Sequence, residues 1–121
     1  MSEPIKVLIV DDEDIFADNV RDYLERRGWC ALVARTGCAA VAARREFAPG
    51  LILLDYHLPD MDGFQALCAM APGECRNCIL MTAHPPETVA ARAEQLGIDR
   101  ILYKPFSFSE METELLAASD H

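Results

Sequence analysis

Reactive side chains stand at the ends of four of the short apolar runs in this 121-residue sequence. They are Asp11 and Asp12 after the first run, Asp55 after the third, Thr82 at the end of the fourth and Lys104 after the fifth. Carboxylates brought together repel one another unless a cation neutralises them, and an oxygen-rich site of this kind suits Mg²⁺, with Mn²⁺ as a substitute. Such a metal can bridge to a phosphoryl oxygen and offset the charge that develops during transfer. These residue types therefore point to metal-assisted phosphoryl chemistry, provided that the fold gathers them.

The elements that would gather them follow from the hydrophobic pattern. Aliphatic and β-branched runs alternate with longer segments of helical period, which is typical of a parallel sheet with crossover helices. The predicted strands cover residues 5–10, 29–34, 51–54, 77–82 and 99–103, and the predicted helices cover 14–27, 37–47, 64–71 and 85–96. A fifth helix is predicted to begin after Ser107 or Ser109 and to turn Met111, Leu115 and Leu116 inward. Because ligands of open parallel sheets bind beyond the carboxyl ends of the strands, the reactive side chains should share one edge.

The composition is that of one compact domain, and we expect residues 1–121 to form it. Hydrophobic residues make up 51% of the chain, and 11 Lys+Arg against 20 Asp+Glu give a net charge of −9. This charge repels nucleic-acid phosphates and anionic lipids, so we expect neither direct nucleic-acid contact nor membrane association. No apolar run approaches the roughly 20 residues that span a bilayer, and the N-terminus lacks a signal-peptide pattern, so we expect a cytoplasmic location.

Single residues in this pattern also have ordinary structural explanations. Asp12 or Asp14 could simply cap the first helix, because an aspartate after a strand is often only a turn former or a cap. Cys75 and Cys78 form the one close cysteine pair, but a lone CxxC has no second pair to complete a zinc site. We interpret the five cysteines as reduced, small side chains.

Four motifs taken together carry a specific resemblance. They are Val10-Asp11-Asp12-Glu13, the stretch Asp55-Tyr56-His57-Leu58-Pro59-Asp60-Met61-Asp62-Gly63, then Met81-Thr82-Ala83 and Tyr103-Lys104-Pro105. In this order and over the whole chain they resemble the response-regulator receiver family. The resemblance implies a doubly wound, flavodoxin-like sheet of order 2-1-3-4-5 with five flanking helices. It also implies a role in two-component phosphorelay signalling as a phosphoacceptor and not as an enzyme in its own right.

The resemblance further implies a role for each matching residue. Asp55 would accept the phosphoryl group from a histidine kinase or a histidine phosphotransfer protein. The metal ligands would be Asp11, Asp12, Asp55 and the backbone carbonyl of His57. The phosphoryl group would be held by Thr82, Ala83 and Lys104, Tyr103 would turn inward as Thr82 moves, and the Lys104–Pro105 peptide bond would be cis.

The roles of two further groups of residues are hypotheses. His57 and His84 stand two residues beyond the phosphoacceptor and the switch threonine, where an imidazole could modulate autodephosphorylation, or could simply be solvated. The partner docking surface would comprise Ile15, Phe16, Asn19, Pro105 and Phe106. The resemblance also allows an output domain C-terminal to this chain, a separate target protein, or a homodimer on phosphorylation.

Three competing interpretations share parts of this pattern. A flavodoxin-type protein needs a phosphate-cradling loop after the first strand, where the acidic run Asp11–Asp14 would repel the anion. A haloacid-dehalogenase phosphatase places its nucleophile in a DxD pattern after that strand and usually has a cap domain, for which 121 residues leave no room. A receiver that signals through protein contact without phosphorylation is the remaining alternative, and the presence of Asp12, Asp55, Thr82 and Lys104 does not favour it.

Overall fold

A computed structural model describes residues 4–70 and 77–119, and its elements alternate strictly between strand and helix. The strands are β1 (Lys6–Val10), β2 (Cys30–Ala34), β3 (Leu51–Asp55), β4 (Cys78–Thr82) and β5 (Arg100–Tyr103). The helices are α1 (Asp14–Arg26), α2 (Gly37–Phe47), α3 (Gly63–Met70), α4 (Pro86–Gln95) and α5 (Phe108–Ser119). All strand pairs are parallel, in the order β2-β1-β3-β4-β5. The predicted fold class and strand order are confirmed.

The sheet is covered on both faces, which explains why its central strands are almost continuously apolar. Alternate residues of each strand enter two separate core clusters. Val7, Ile9, Leu51, Leu53, Ile79 and Met81 pack on the side of α1 and α5, whereas Leu8, Val10, Ile52, Leu54 and Leu80 pack on the other side. The strands are thereby held rigidly, and their carboxyl ends form one edge at which the following loops begin.

The predictions for α5 are confirmed except at one residue. Ser107, and not Ser109, caps α5: its Oγ accepts from Glu110 N–H at 3.0 Å, and Glu110 Oε1 accepts from Ser107 N–H at 3.0 Å, which is a capping box. Met111 and Leu115 are fully buried as predicted, but the prediction for Leu116 is wrong because this side chain is 50% exposed. Met111 and Leu115 are four residues apart and share one face of the helix, whereas Leu116 is the next residue after Leu115 and therefore points about 100° away from that face.

The end of α2 is formed by Ala48, which takes the left-handed region with a φ of 50°. A residue with a Cβ is strained in that region by about 1–2 kcal/mol, while glycine is not. We therefore expect Ala48→Gly to raise the free energy of unfolding by up to about 1 kcal/mol in urea titrations followed by circular dichroism. Ala43→Gly, inside the same helix, is the matched control and should lower that free energy by about the same amount.

A buried carboxylate joins α1, β2 and α5. Glu112 of α5 is 9% exposed, and its side chain accepts hydrogen bonds from Trp29 Nε1 at 3.0 Å and from Arg27 Nε. The hydroxyl of Tyr23 lies 3.5 Å from the same carboxylate. A buried carboxylate is tolerated only when it is paired and hydrogen-bonded, so this cluster fixes α5 against the beginning of β2. It lies at the edge of the sheet opposite to the carboxyl ends of the strands.

Two sequence expectations meet the structure only in part. Cys78 is buried in β4, whereas Cys75, the other member of the CxxC pair, lies outside the described residues. Within residues 4–70 and 77–119, no helix combines the length and the apolar composition needed to cross a bilayer.

Candidate functional site

Three carboxylates meet at the carboxyl edge of the sheet. One oxygen from each of Asp11, Asp12 and Asp55 lies within 4.8 Å of the others. Asp11 is fully buried and Asp55 is 6% exposed, whereas Asp12 is exposed. The parallel order explains this convergence, since β1 and β3 are neighbours and Val10 is level with Leu54, so that both strands end side by side. An all-oxygen donor set of this spacing fits Mg²⁺, which takes oxygen ligands.

Lys104 approaches this cluster from the end of β5. Its Nζ lies 3.3 Å from Asp11 Oδ2, 3.5 Å from Asp55 Oδ1 and 3.2 Å from Glu13 Oε1. The Lys104 N–H donates to the Thr82 carbonyl at 2.8 Å, and the following Lys104–Pro105 peptide bond is cis. The same ammonium lies 4.8 Å from the centre of the Phe16 ring. One cation therefore faces three carboxylates, which leaves the site with excess negative charge.

The excess negative charge contributes to the shifted pKa values of the site residues. Burial, together with the neighbouring charge of Asp11, raises the pKa of Asp55 to about 6, although Lys104 and a backbone hydrogen bond from His57 act in the opposite direction. Burial also raises the pKa of Asp11. For Lys104, burial disfavours the charged form, but the carboxylates of Asp55 and Asp11 outweigh it and raise its pKa. A divalent cation would relieve this repulsion.

The loop after β3 is tightly closed at Gly63. The Gly63 N–H donates to the Tyr56 carbonyl at 2.6 Å, and a Cβ added at Gly63 would lie 2.7 Å from the Asp55 carbonyl oxygen. A side chain at this position would push against the backbone that carries the phosphoacceptor candidate. The loop can therefore return so close to β3 only because residue 63 is glycine.

Thr82 and His84 form a second wall of the site. The Thr82 Oγ1 accepts from the His84 N–H at 2.9 Å and lies 3.4 Å from His84 Nδ1. The His84 ring packs edge-on against Tyr56, with 4.9 Å between the ring centres, and Tyr56 packs in turn on Phe64. A cavity of about 270 Å³ is lined by Tyr56, Thr82 and His84, together with Asp12, Glu13, Asp55, His57, Ala83 and Lys104. The cavity has room for a metal ion and a phosphoryl group.

The other candidate residues do not line this cavity. Tyr103 is 38% exposed on β5, and it pairs in register with Thr82. Phe16 and Phe106 contact each other edge-on at 6.0 Å and line a second cavity of about 390 Å³ with Glu13, Ala83, Lys104 and Pro105. Ile15 is 79% exposed, and Asn19 and Pro105 are also exposed. All five candidate docking residues thus belong to α1 or to the segment after β5.

Sequence reasoning missed three residues that shape the site. Glu13 shares Lys104 with the buried carboxylates, Tyr56 supports His84, and Asp60 binds the start of α2. Neither Asp12 nor Asp14 caps α1 through its side chain; instead, Asp11 Oδ1 accepts from the Glu13 N–H at 3.0 Å. Long-range contacts such as that of Asp60 have no local sequence pattern.

Comparison with known proteins agrees with this architecture. Residues 7–116 match the response regulator receiver domain. The probable transcriptional regulatory protein TcrX of Mycobacterium tuberculosis is 35% identical over 118 residues, covering 95% of this chain and 50% of that protein. A protein-glutamate methylesterase/protein-glutamine glutaminase of Anaeromyxobacter dehalogenans is 33% identical over 110 residues, covering 89% of this chain and 32% of that protein. The chain thus spans half or less of the length of these two relatives.

Solved structures show the same fold. A CheY-like receiver domain protein from Methanospirillum hungatei superposes with a TM-score of 0.88 at 25% identity, covering 98% of this chain and 95% of that one. The signal receiver domain of an HD domain-containing protein from Pseudomonas fluorescens gives a TM-score of 0.88 at 25% identity, covering 100% and 90%. The chain therefore belongs to the response regulator receiver domain family, whose members act in two-component systems.

Proposed function

We propose that this chain accepts a phosphoryl group on Asp55 from a histidine kinase or a histidine phosphotransfer protein, in a Mg²⁺-dependent reaction. The observation that carries the proposal is the placement of Asp55 between Asp11, Asp12 and Lys104 at the rim of an open cavity. In this proposal the chain is a phosphoacceptor that takes part in its own phosphorylation and autodephosphorylation. It is not an enzyme that acts on other molecules.

The chemistry follows from the positions of the side chains. An Asp55 carboxylate oxygen attacks the phosphorus of a phosphohistidine, the phosphorus–nitrogen bond breaks, and the imidazole leaves with the bonding electron pair. Mg²⁺, held by Asp11, Asp12, Asp55 and the His57 carbonyl, would neutralise charge on the phosphoryl oxygens. Lys104, already 3.5 Å from Asp55, then pairs with a phosphoryl oxygen. The Ala83 N–H and the Thr82 hydroxyl would bind the remaining oxygens.

The same contacts suggest how phosphorylation would change the surface. In the present state the Thr82 hydroxyl is engaged with the His84 N–H, and Tyr103 is partly exposed. A phosphoryl group on Asp55 would offer Thr82 a stronger, charged acceptor. Movement of Thr82 toward it would free space beside β4 and β5, which the Tyr103 ring would fill. The outward face of α4, β5 and α5 would then differ between the two states.

Partners are proposed on the same basis. The kinase or phosphotransfer protein would dock on the surface formed by Ile15, Phe16, Asn19, Pro105 and Phe106, which adjoins the cavity through Phe16 and Lys104. Residues 1–121 would form the receiver unit, and an output region or a target protein would read its phosphorylated state. The net charge of −9 does not favour nucleic-acid contact by this unit itself.

The direct test is phosphorylation by a small donor. The protein is incubated with Mg²⁺ and acetyl phosphate and then analysed by mass spectrometry for the addition of one phosphoryl group. Asp55→Asn should lose this addition, whereas Asp62→Asn, a matched change in the loop after β3, should retain it. Labelling that persists in Asp55→Asn, or the absence of labelling in the unaltered chain, would refute the proposal.

His57 and His84 are expected to lengthen the lifetime of the acyl phosphate. The His84 ring is held by Thr82 and Tyr56 at the cavity wall, and the exposed His57, two residues beyond Asp55, lines the same cavity. An imidazole that hydrogen-bonds the phosphoryl group or obstructs the attacking water would slow hydrolysis. Loss of one such contact in His57→Ala or His84→Ala should shorten the lifetime by about three- to tenfold.

The lifetime is measured after rapid removal of the phosphodonor, by following the loss of the added phosphoryl mass. Tyr56→Phe is the control for His84→Ala because it keeps the ring that supports His84 and removes only a hydroxyl. Lifetimes that stay unchanged in both histidine variants would end this hypothesis without affecting the role of Asp55.

A further inference from the structure

A contact between two loops links the candidate site to helix α2. Asp60 lies in the loop that joins β3 to α3, residues 56–62, which we call the β3–α3 loop. Its Oδ1 accepts from the Gly37 N–H at 2.8 Å, and its Oδ2 accepts from the Cys38 N–H at 3.0 Å. Each carboxylate oxygen thus binds one of the first two N–H groups of α2. Helix N-termini favour a negative charge at this position, and the two bonds hold the pKa of Asp60 below its usual value.

A steric contact reinforces the two hydrogen bonds. Met61, the next residue of the loop, lies against Gly37 so closely that a Cβ added there would be 2.4 Å from Met61 Sδ. Met61 also packs against the core cluster that contains Ala34 and Ala40. The polar and the apolar contact hold the same part of the loop from two directions, so its position relative to α2 is well defined.

The β3–α3 loop is also braced internally, so that its two ends are mechanically coupled. The Leu58 N–H donates to the Met61 carbonyl at 3.2 Å, and His57 and Asp62 form an antiparallel bridge. A displacement of Asp60 would therefore be passed to His57 and not absorbed by a flexible segment. His57 in turn donates a backbone hydrogen bond that stabilises ionised Asp55. The loop thus connects the α2 N-terminus to the backbone beside the phosphoacceptor candidate.

We propose that Asp60 is a positioning residue for the metal site: by tying the β3–α3 loop to the first turn of α2, it sets where the His57 carbonyl stands relative to Asp55. This inference rests on the proposed function, because the His57 carbonyl is one of the proposed Mg²⁺ ligands. Mg²⁺ requires a near-ideal octahedral arrangement of its ligands, so a ligand whose position is not fixed binds the ion less tightly. Substitution of a residue that orients a metal ligand typically lowers the metal affinity by about 10–100-fold.

Asp60 could instead be only a helix cap, and the chain offers a matched control for this role. Thr36 is the N-cap of α2 itself, where its Oγ1 accepts from the Ala39 N–H at 2.9 Å. Thr36→Ala removes a cap from the same helix end but leaves the β3–α3 loop attached. Asp22→Ala, on the exposed side of α1, removes one negative charge and controls for long-range attraction of the cation.

The experiment is a Mg²⁺ titration of the full chain, followed by amide chemical shifts of the site residues at a temperature where all variants are folded. We expect Asp60→Ala to weaken Mg²⁺ binding by about tenfold, and Thr36→Ala and Asp22→Ala to change it by less than about twofold. The His57 amide resonance should also shift in metal-free Asp60→Ala but not in Thr36→Ala.

Equal Mg²⁺ affinity of Asp60→Ala and the unaltered chain would overturn the inference and leave the proposed function intact. The inference would also be overturned if Thr36→Ala weakened binding as much as Asp60→Ala, since a cap alone would then explain the effect. If the unaltered chain showed no saturable Mg²⁺ binding, the proposed function would fail, and the positioning role of Asp60 would fail with it.

Discussion

Asp55→Asn is expected to abolish phosphorylation and, in the metal-free protein, to make the fold more stable by about 2–3 kcal/mol at about pH 7. The loss of phosphorylation follows because an amide is not a nucleophile of comparable strength. The gain in stability follows because burial and the charge of Asp11 raise the pKa of Asp55 to about 6, so that ionising this group at neutral pH works against folding. Asparagine keeps the shape and removes the charge.

The stability gain should depend on pH in a defined direction. Protonated Asp55 favours the native state, and this contribution is fully present below the ordinary carboxyl pKa of 3.8 and is lost as the pH rises through about 6. The unaltered, metal-free chain should therefore lose stability between these values as the pH increases. The difference between Asp55→Asn and the unaltered chain should be largest above about pH 6 and should vanish near pH 4.

Urea unfolding followed by circular dichroism, in the presence of EDTA, measures both effects. Asp22→Asn, an exposed acid of α1, is the control for a general reduction of negative charge and should change stability by less than about 0.5 kcal/mol. An Asp55→Asn protein that is no more stable than the unaltered chain at neutral pH, or whose advantage is the same at both ends of the pH range, would contradict the electrostatic account.

Removal of the divalent cation should slow phosphorylation by acetyl phosphate by about a hundredfold or more, and Asp12→Ala should produce a similar loss in the presence of Mg²⁺. Within residues 4–70 and 77–119, Lys104 is the one cation paired with Asp11, Asp55 and Glu13, so the site carries too much negative charge to receive an anionic phosphoryl group without a second cation. Asp12 is the exposed member of the carboxylate cluster, and its removal should disturb the fold little.

The initial rate of phosphoryl incorporation, measured over a series of Mg²⁺ concentrations, checks this prediction. Asp14→Ala is the matched control, since Asp14 is also exposed but forms an ion pair with Arg35 at 2.8 Å outside the cluster. Its rate should remain within about twofold of the unaltered chain, as expected for a surface ion pair. A chain that is labelled equally fast in EDTA, or an Asp14→Ala variant as slow as Asp12→Ala, would rule out the proposed metal dependence.

Much of this fold could be predicted because its determinants are local or periodic. The apolar runs of β1 and β3 have the lengths of strands buried on both faces, and Gly28, with a φ of 93°, directly follows Arg27, the C-cap of α1. Once the strands are parallel, the placement of Asp11, Asp55, Thr82 and Lys104 at one edge follows from geometry alone. The observed element ends lie within one or two residues of the predicted ones.

The remaining features depend on contacts between distant parts of the chain. Glu112 reads as an ordinary helix acid, and only the approach of Trp29, 83 positions away, makes it a buried anchor. Asp60 reads as a turn residue until α2 is placed beside it, 23 positions away. Ala48 takes a conformation that glycine would normally supply, which no propensity indicates. Tertiary contacts select the states of Glu112 and Asp60, which their local sequence does not indicate.

The buried indole under α5 has a practical consequence for optical studies. Trp29 is the single tryptophan of the chain and precedes β2, whereas Asp55 closes β3, six residue levels away by the strand register. This separation is about 20 Å along the strands. Trp29 fluorescence emission should therefore report the separation of α1 from α5 on unfolding, and it should change little when a metal ion or a phosphoryl group binds. The folding rate can thus be measured through this one fluorophore independently of metal binding and phosphorylation.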